Sequence, residues 1–162
     1  MADHQSETPI TIPPQPELAC ISAALRRTTN LVTRVYNSYL APAGLEVTQY
    51  SILRKIEAGT AGSASELADI VGVERSTLAR NLDRLEKLGL VAPQPGEGRR
   101  LVHVLTEAGR ERLEAAKPLW LDAQEALVNG LPSGHAGQVH AELALLRRAA
   151  RGARAEGENS EM

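Results

Sequence analysis

The sequence predicts a mostly α fold with one small β ribbon, and three observations carry that expectation. Apolar residues make up 43% of the 162, with no Phe, so the core has to be built from Leu, Val, Ala and Ile, which favours packed helices. Apolar positions recur at helical spacing in six separate stretches between Leu18 and Leu146. One strand-like run, Leu101-Val102-His103-Val104-Leu105, follows the turn chemistry of Pro93-Gln94-Pro95-Gly96-Glu97-Gly98.

Whole-chain properties narrow the class. The length suits one domain with a sizeable core. A net charge of −2 excludes a generally basic nucleic-acid coat but leaves room for a local basic face. The single cysteine allows no intrachain disulfide and fits a reducing compartment. No apolar run approaches a membrane span and residues 1–17 lack a signal-peptide core, so a cytoplasmic chain without a membrane partner is expected.

The elements follow in order. Residues 1–16, polar and Pro-rich, read as a mobile arm. Residues 17–41 read as a long helix with Leu18, Ile21, Leu25, Leu31, Val32, Val35, Tyr39 and Leu40 apolar, ended by Pro42 and Gly44. Thr48 is the expected cap of a helix from Gln49 to Ala58, with Tyr50, Ile52, Leu53 and Ile56 inward. Ser63-Ala64-Ser65-Glu66 fits a capping box. It opens a short helix whose Leu67, Ile70 and Val71 share a face and whose end is marked by Gly72.

The next helix covers about Glu74 to Leu88. Leu78, Leu82, Leu85 and Leu88 form its apolar stripe, while Ser76, Thr77, Arg80, Arg84 and Lys87 gather on the other side. Small hydroxyls near a helix N-terminus suit phosphate, and arginine suits the O6/N7 edge of guanine. The alternative reading is a solvated face laced by Arg80–Asp83 or Arg84–Asp83 pairs. The ribbon comes next, its first strand shortened or confined to an edge by Pro93 and Pro95. Arg99 and Arg100 stand near the tip, where an arginine can enter a minor groove or simply solubilise an edge. From Gly72 to Val104 there are six Lys/Arg against four Asp/Glu, a modest basic excess in the right place. Two short helices, a tight turn and a ribbon make the outline of a winged helix-turn-helix.

Thr106 is the expected cap of a helix reaching about Asn129, with a kink or break near Ala115–Lys117 ahead of Pro118. Gly130-Leu131-Pro132-Ser133-Gly134 reads as a turn, and a last helix runs from about Gly134 to Ala153 with Val139, Leu143, Leu145 and Leu146 apolar. Residues 154–162 read as a frayed tail.

These residues carry a resemblance. The run from Leu67 to Gly109 resembles the MarR family of bacterial transcription regulators, through Glu66-Leu67-Ala68, Gly72-Val73-Glu74-Arg75-Ser76-Thr77, Leu82 to Val91, Gly98-Arg99-Arg100 and Leu105-Thr106-Glu107-Ala108-Gly109. Upstream, Leu45 to Leu53 is similar to the segment before the family's second helix, and the likeness extends over about Leu18 to Arg148. It implies one MarR-like domain over 17–153: a DNA-binding lobe at 46–106, with dimerisation helices at 17–45 and 107–153. It implies a homodimer that binds double-stranded DNA, usually as a repressor, released by a small molecule or by cysteine oxidation. Two departures stand out. The family often places an arginine in the first wing strand and an aspartate at the wing tip, which brace each other; here those positions hold Pro93 and Glu97. Glu74 stands where a better N-cap, often Asp, is usual.

The expected DNA-binding residues are Arg75, Ser76, Thr77, Arg80, Arg84, Arg99 and Arg100, on an inverted-repeat operator. The resemblance places an effector pocket between the dimerisation helices and the lobe, for a small aromatic or phenolic effector. Its candidate liners are Tyr36, Tyr39, Tyr50, Leu53 and Trp120, each of which also reads as core packing. Cys20 lies where some family members sense peroxide, but the tyrosine common one turn later is Ala24 here, and a buried inert thiol is the favoured reading. His135 and His140 are not at ligand spacing, so no metal is expected, and no cofactor. No nucleophile elbow, Walker loop or dinucleotide motif appears, so no catalytic role is expected. The other function class is a winged-helix module that contacts protein instead of DNA.

Overall fold

The structure is a computed structural model that describes residues 20–96 and 101–160. The expected arm at 1–16, Leu18, Glu97, Gly98, Arg99, Arg100 and residues 161–162 lie outside the described residues.

Helix α1 spans Ile21–Leu40 and leads through a 3₁₀ turn, Ala41–Ala43, with Pro42 in its first turn. Helix α2 is Val47–Glu57. Its start is not capped by Thr48. The cap residue is Glu46, whose backbone N–H donates to Gln49 Oε1 at 2.9 Å, and Asn37 Oδ1 accepts from the Val47 N–H at 2.8 Å. The end of α1 thereby satisfies an otherwise orphan donor of α2, a long-range contact that local spacing does not reveal. Tyr50, Ile52 and Leu53 are buried as expected, and Ile56 packs against the same core.

Helix α3 is Ala64–Val71. Ser63 Oγ accepts from the Glu66 N–H at 3.2 Å, and the Glu66 carboxylate reaches past Ser63 to accept from the Gly62 N–H at 2.8 Å. Gly72 closes the helix at φ 79°, a left-handed conformation that costs glycine nothing. The inward face is Leu67, Ala68 and the partly buried Val71; Ile70, expected inward, is exposed. Helix α4 is Arg75–Lys87. Leu78, Leu82 and Leu85 are buried, but Leu88, at the C-cap where the helical repeat ends, is exposed.

Strands β1 (Val91–Pro95) and β2 (Leu101–Leu105) form an antiparallel ribbon in the register Val91↔Leu105, Pro93↔His103, Pro95↔Leu101. Val91 and Leu105 are buried at the root, while Leu101 at the far end is exposed. A two-stranded ribbon leaves the outer side of each strand unpaired, so two prolines are tolerated.

Helix α5 is Glu107–Asn129, capped by Thr106, whose Oγ1 accepts from the Gly109 N–H at 3.0 Å. The same hydroxyl donates to Gly89 O at 2.6 Å, and the Thr106 N–H donates to Leu90 O at 3.1 Å. A methyl group at Gly109 would lie 2.0 Å from Leu90 O, so glycine alone permits this approach. The helix is continuous through Pro118, so of the kink or break expected near Ala115–Lys117 the break does not occur. Arg112 Nη1 donates to Ala43 O at 3.0 Å, tying α5 to the 3₁₀ turn.

Helix α6 is His135–Ser160, extending past the expected end near Ala153. The core joins α2, α3, α4 and the ribbon root to the first half of α5 and the end of α1 through Leu40, Leu45, Leu53, Leu78, Leu85 and Leu113. In α1 only Leu40 is buried; Ile21 and Leu31, expected apolar positions, are exposed. No described residue of α6 is buried, and Val139, Leu143 and Leu145 lie open.

Candidate nucleic-acid interface

The core places α4 with its leucines inward and its cations outward. Arg75, Ser76, Arg80 and Arg84 are exposed and Thr77 is half-buried. Glu74, at the N-cap, makes no side-chain cap bond, so the first-turn N–H groups keep donor capacity for an anion. Arg80 folds back along its own helix: Nε donates to Ser76 O at 3.3 Å and Nη2 to Thr77 Oγ1 at 3.4 Å. That holds the guanidinium beside the Thr77 hydroxyl, toward the end of α4 where helix polarity already favours phosphate.

The two cations further along are held by carboxylates, though not as expected. Asp83 pairs with Lys87 at 2.6 Å, and Arg84 pairs with Glu46 at the start of α2 at 3.4 Å. Every one of these side chains is more than half exposed, so each pair contributes little and water or phosphate can displace the carboxylate. Asn81 Nδ2 donates to Thr77 O at 2.9 Å. Together Glu46, Thr77, Arg80, Asn81, Arg84 and Lys87 line a surface hollow of about 430 Å³. Asn81 was legible at helical spacing from Thr77; Glu46 comes from a distant segment with no local signal. Arg99 and Arg100 lie outside the described residues. The ribbon that flanks them stands beside α4, joined to it by His103 Nε2 and Glu86 Oε1 at 2.8 Å.

Of the expected effector liners, three converge. The Trp120 ring stacks with Tyr50 at 5.8 Å and with Tyr36 at 6.4 Å between centroids, and Arg54 lies 5.5 Å from the Trp120 ring, within cation–π range. The Tyr36 hydroxyl donates to Gln124 Oε1. Burial raises the Tyr36 phenol pKa; Tyr50 is raised by burial against the opposing pull of Arg54. Leu53 is plain core and Tyr39 makes no part of the stack. Arg54 and Lys55, absent from the expected set, border a hollow of about 200 Å³ beside Tyr50 and Trp120. Cys20, expected buried, is exposed at the N-cap of α1 and lends that helix no side-chain cap bond.

A helix-turn-helix with a ribbon at its side and cations on the outer face of the second helix defines a winged-helix protein of the nucleic-acid-reading class. Residues 43–100 match the sequence profile of the MarR family. The chain is 33% identical to the M. tuberculosis transcriptional regulator MosR, over 82% of this chain and 96% of that one, with a TM-score of 0.74. Against MosR solved in complex with DNA the figures are 34%, 83%, 98% and 0.74. The transcriptional repressor CouR, bound to p-coumaroyl-CoA, is 26% identical over 80% of this chain and 92% of its own, with a TM-score of 0.71. YwoH of Bacillus subtilis, an HTH-type transcriptional regulator, is 28% identical over 105 residues, 64% of this chain and 77% of its own. The chain belongs to the MarR family, whose members are transcriptional regulators rather than enzymes.

Proposed function

We propose that the chain is a DNA-binding repressor that acts as a homodimer on an inverted-repeat operator and is released by a small aromatic ligand. The observation that carries this reading is the two-sidedness of α4. Leu78, Leu82 and Leu85 are sealed in the core while Arg75, Arg80, Arg84 and Lys87 face out. In this reading α4 enters the major groove, with Ser76, Thr77 and Arg75 toward phosphates, and Arg80 and Arg84 toward base edges. Arg99 and Arg100, ahead of β2 in the sequence, reach the minor groove. MosR, the more similar relative, has been solved with DNA.

The bare apolar residues of α1 and α6 support the dimer. Two-fold pairing through them sets two copies of α4 about one helical turn, ~34 Å, apart. For the effector, the Trp120 stack and Arg54 offer aromatic surface beside a cation, a combination suited to a phenolic acid, and CouR binds a coumaroyl ligand. Such a ligand releases DNA only if it prefers the spacing of the two α4 helices that DNA does not accept.

The test is duplex binding measured across salt. A steep loss of affinity with salt is expected, and Arg80→Ala or Arg84→Ala should each cost about 1–3 kcal/mol on a selected operator. Unchanged binding in both variants would refute α4 as the reader; a flat salt dependence favours a protein-contacting module. A second reading, redox sensing through Cys20, is favoured by the exposure of that thiol. Retained peroxide-dependent release in Cys20→Ser removes it.

A further inference from the structure

We propose that His103 is a positioning residue for DNA reading: held by Glu86, it fixes the direction of the ribbon relative to α4. The proposal rests on the reading that α4 and the ribbon contact DNA. His103 Nε2 lies 2.8 Å from Glu86 Oε1, and no other side-chain hydrogen bond joins the ribbon to α4 among the described residues.

The pair differs from the surface pairs on the outer face of α4. The His103 side chain is 15% exposed and that of Glu86 39%, against 64% for Arg84 and 55% for Glu46. A half-withdrawn contact is screened less by salt, and His103 has fewer rotatable bonds to fix than an arginine. Its position also matters. The ribbon root is fixed by the Thr106 bonds to Gly89 and Leu90 and by buried Val91 and Leu105. His103 sits further out, in register with Pro93. Pro93 carries neither an N–H nor a polar side chain, so β1 offers no brace at that step. A two-stranded ribbon on its own is marginal; here β2 also lies against α2, and the Glu86 contact adds a hold on the α4 side. Fixed at root and midpoint, it has a direction. On the α2 side, Lys55 lines a cavity of about 210 Å³ together with His103.

A ribbon with a fixed direction brings its contacts to the groove without losing orientational freedom on binding. Cutting the tie therefore costs flank contacts, not the fold. The experiment uses the full chain and a duplex that the wild-type chain selects from a random-sequence pool. Affinity across salt, hydroxyl-radical protection and thermal melting are measured for His103→Ala, Glu86→Ala, both together, His103→Gln and Arg80→Ala. His103→Ala and Glu86→Ala are each expected to weaken binding about tenfold and lower the salt slope by about one. Protection at the flanks should fade while the centre of the site stays protected and the melting temperature barely moves. The double variant should be no weaker than either single one, and His103→Gln, which keeps a donor facing Glu86, should recover most of the loss.

Wild-type affinity and flank protection in both alanine variants would overturn the proposal. So would additive losses, or a uniform weakening that tracks a fall in melting temperature. If His103→Ala does not fold, Glu86→Ala on the helix surface decides alone. Arg80→Ala separates the two levels. When it weakens binding and the tie variants do not, only the role of His103 falls; when it and the wild type show no salt-dependent duplex binding, the DNA reading falls and takes this one with it.

Discussion

Leu85 in α4 and Leu145 in α6 are the same residue type in the same secondary structure, yet one is 0% exposed and the other 59%. The lobe from α2 to β2 closes on itself: α3 and α4 turn their leucines onto Tyr50, Ile52 and Leu53, and the ribbon root and α5 close the remaining side. The terminal helices do not close. An apolar stripe states that a face requires cover; it does not state which chain supplies it.

The strongest way to break this contrast is to truncate both leucines. Leu85→Ala should cost about 2–5 kcal/mol of unfolding free energy in urea, the usual range for a filled core site. Leu145→Ala should stay within about 0.5 kcal/mol at protein concentrations too low for association. Equal losses would mean that α6 is packed within its own chain. Next comes the junction between the lobe and α5. Gly109→Ala should destabilise by about 1–3 kcal/mol or more, because backbone, not a movable side chain, meets the added methyl. A near-neutral effect in the same denaturation would show slack between α5 and the Leu90 carbonyl.

Leu143→Glu addresses the open side. Sedimentation should show loss of self-association with helix content unchanged by circular dichroism, since a carboxylate is costly in an apolar interface and free in water. A dimer that persists in this variant would move the interface elsewhere. The smallest effect concerns Tyr50. Its raised pKa means that the folded state favours the neutral phenol. Stability from that preference is complete below the unfolded value, about pH 10, and is lost as pH rises through the higher folded value. Tyr50→Phe should therefore flatten the alkaline fall in stability; an unchanged slope assigns it to Tyr36, which is shifted the same way.

Much of the lobe was legible from local chemistry. Ser63, Gly72 and Thr106 announce helix ends through backbone requirements that act within a few residues, and Leu78, Leu82 and Leu85 repeat at helical spacing. What escaped depends on contacts between distant segments. Thr48 loses the cap to Glu46 because Asn37 and Gln49 stabilise the earlier start. Ile70 and Leu88 follow the periodic pattern but are exposed, Leu88 at the C-cap where the repeat ends and Ile70 beside Val71, which takes the inward place. The Arg84–Glu46 pair joins residues that no spacing rule relates. Of the aromatic residues expected to line one pocket, Tyr36, Tyr50 and Trp120 meet. Arg54, which completes their surroundings, was invisible because a lone helical arginine usually signifies only a wet face.

The bare approach of Gly109 to the Leu90 carbonyl seats the root of α5 directly on the ribbon root, so a tilt of the helix is felt there. Its 23 residues extend about 35 Å, so a tilt of about five degrees carries the distal end some 3 Å while the root turns with the ribbon. Whatever grips the far end of that shaft, near Gly130, works with mechanical advantage over the grooves the wing would probe.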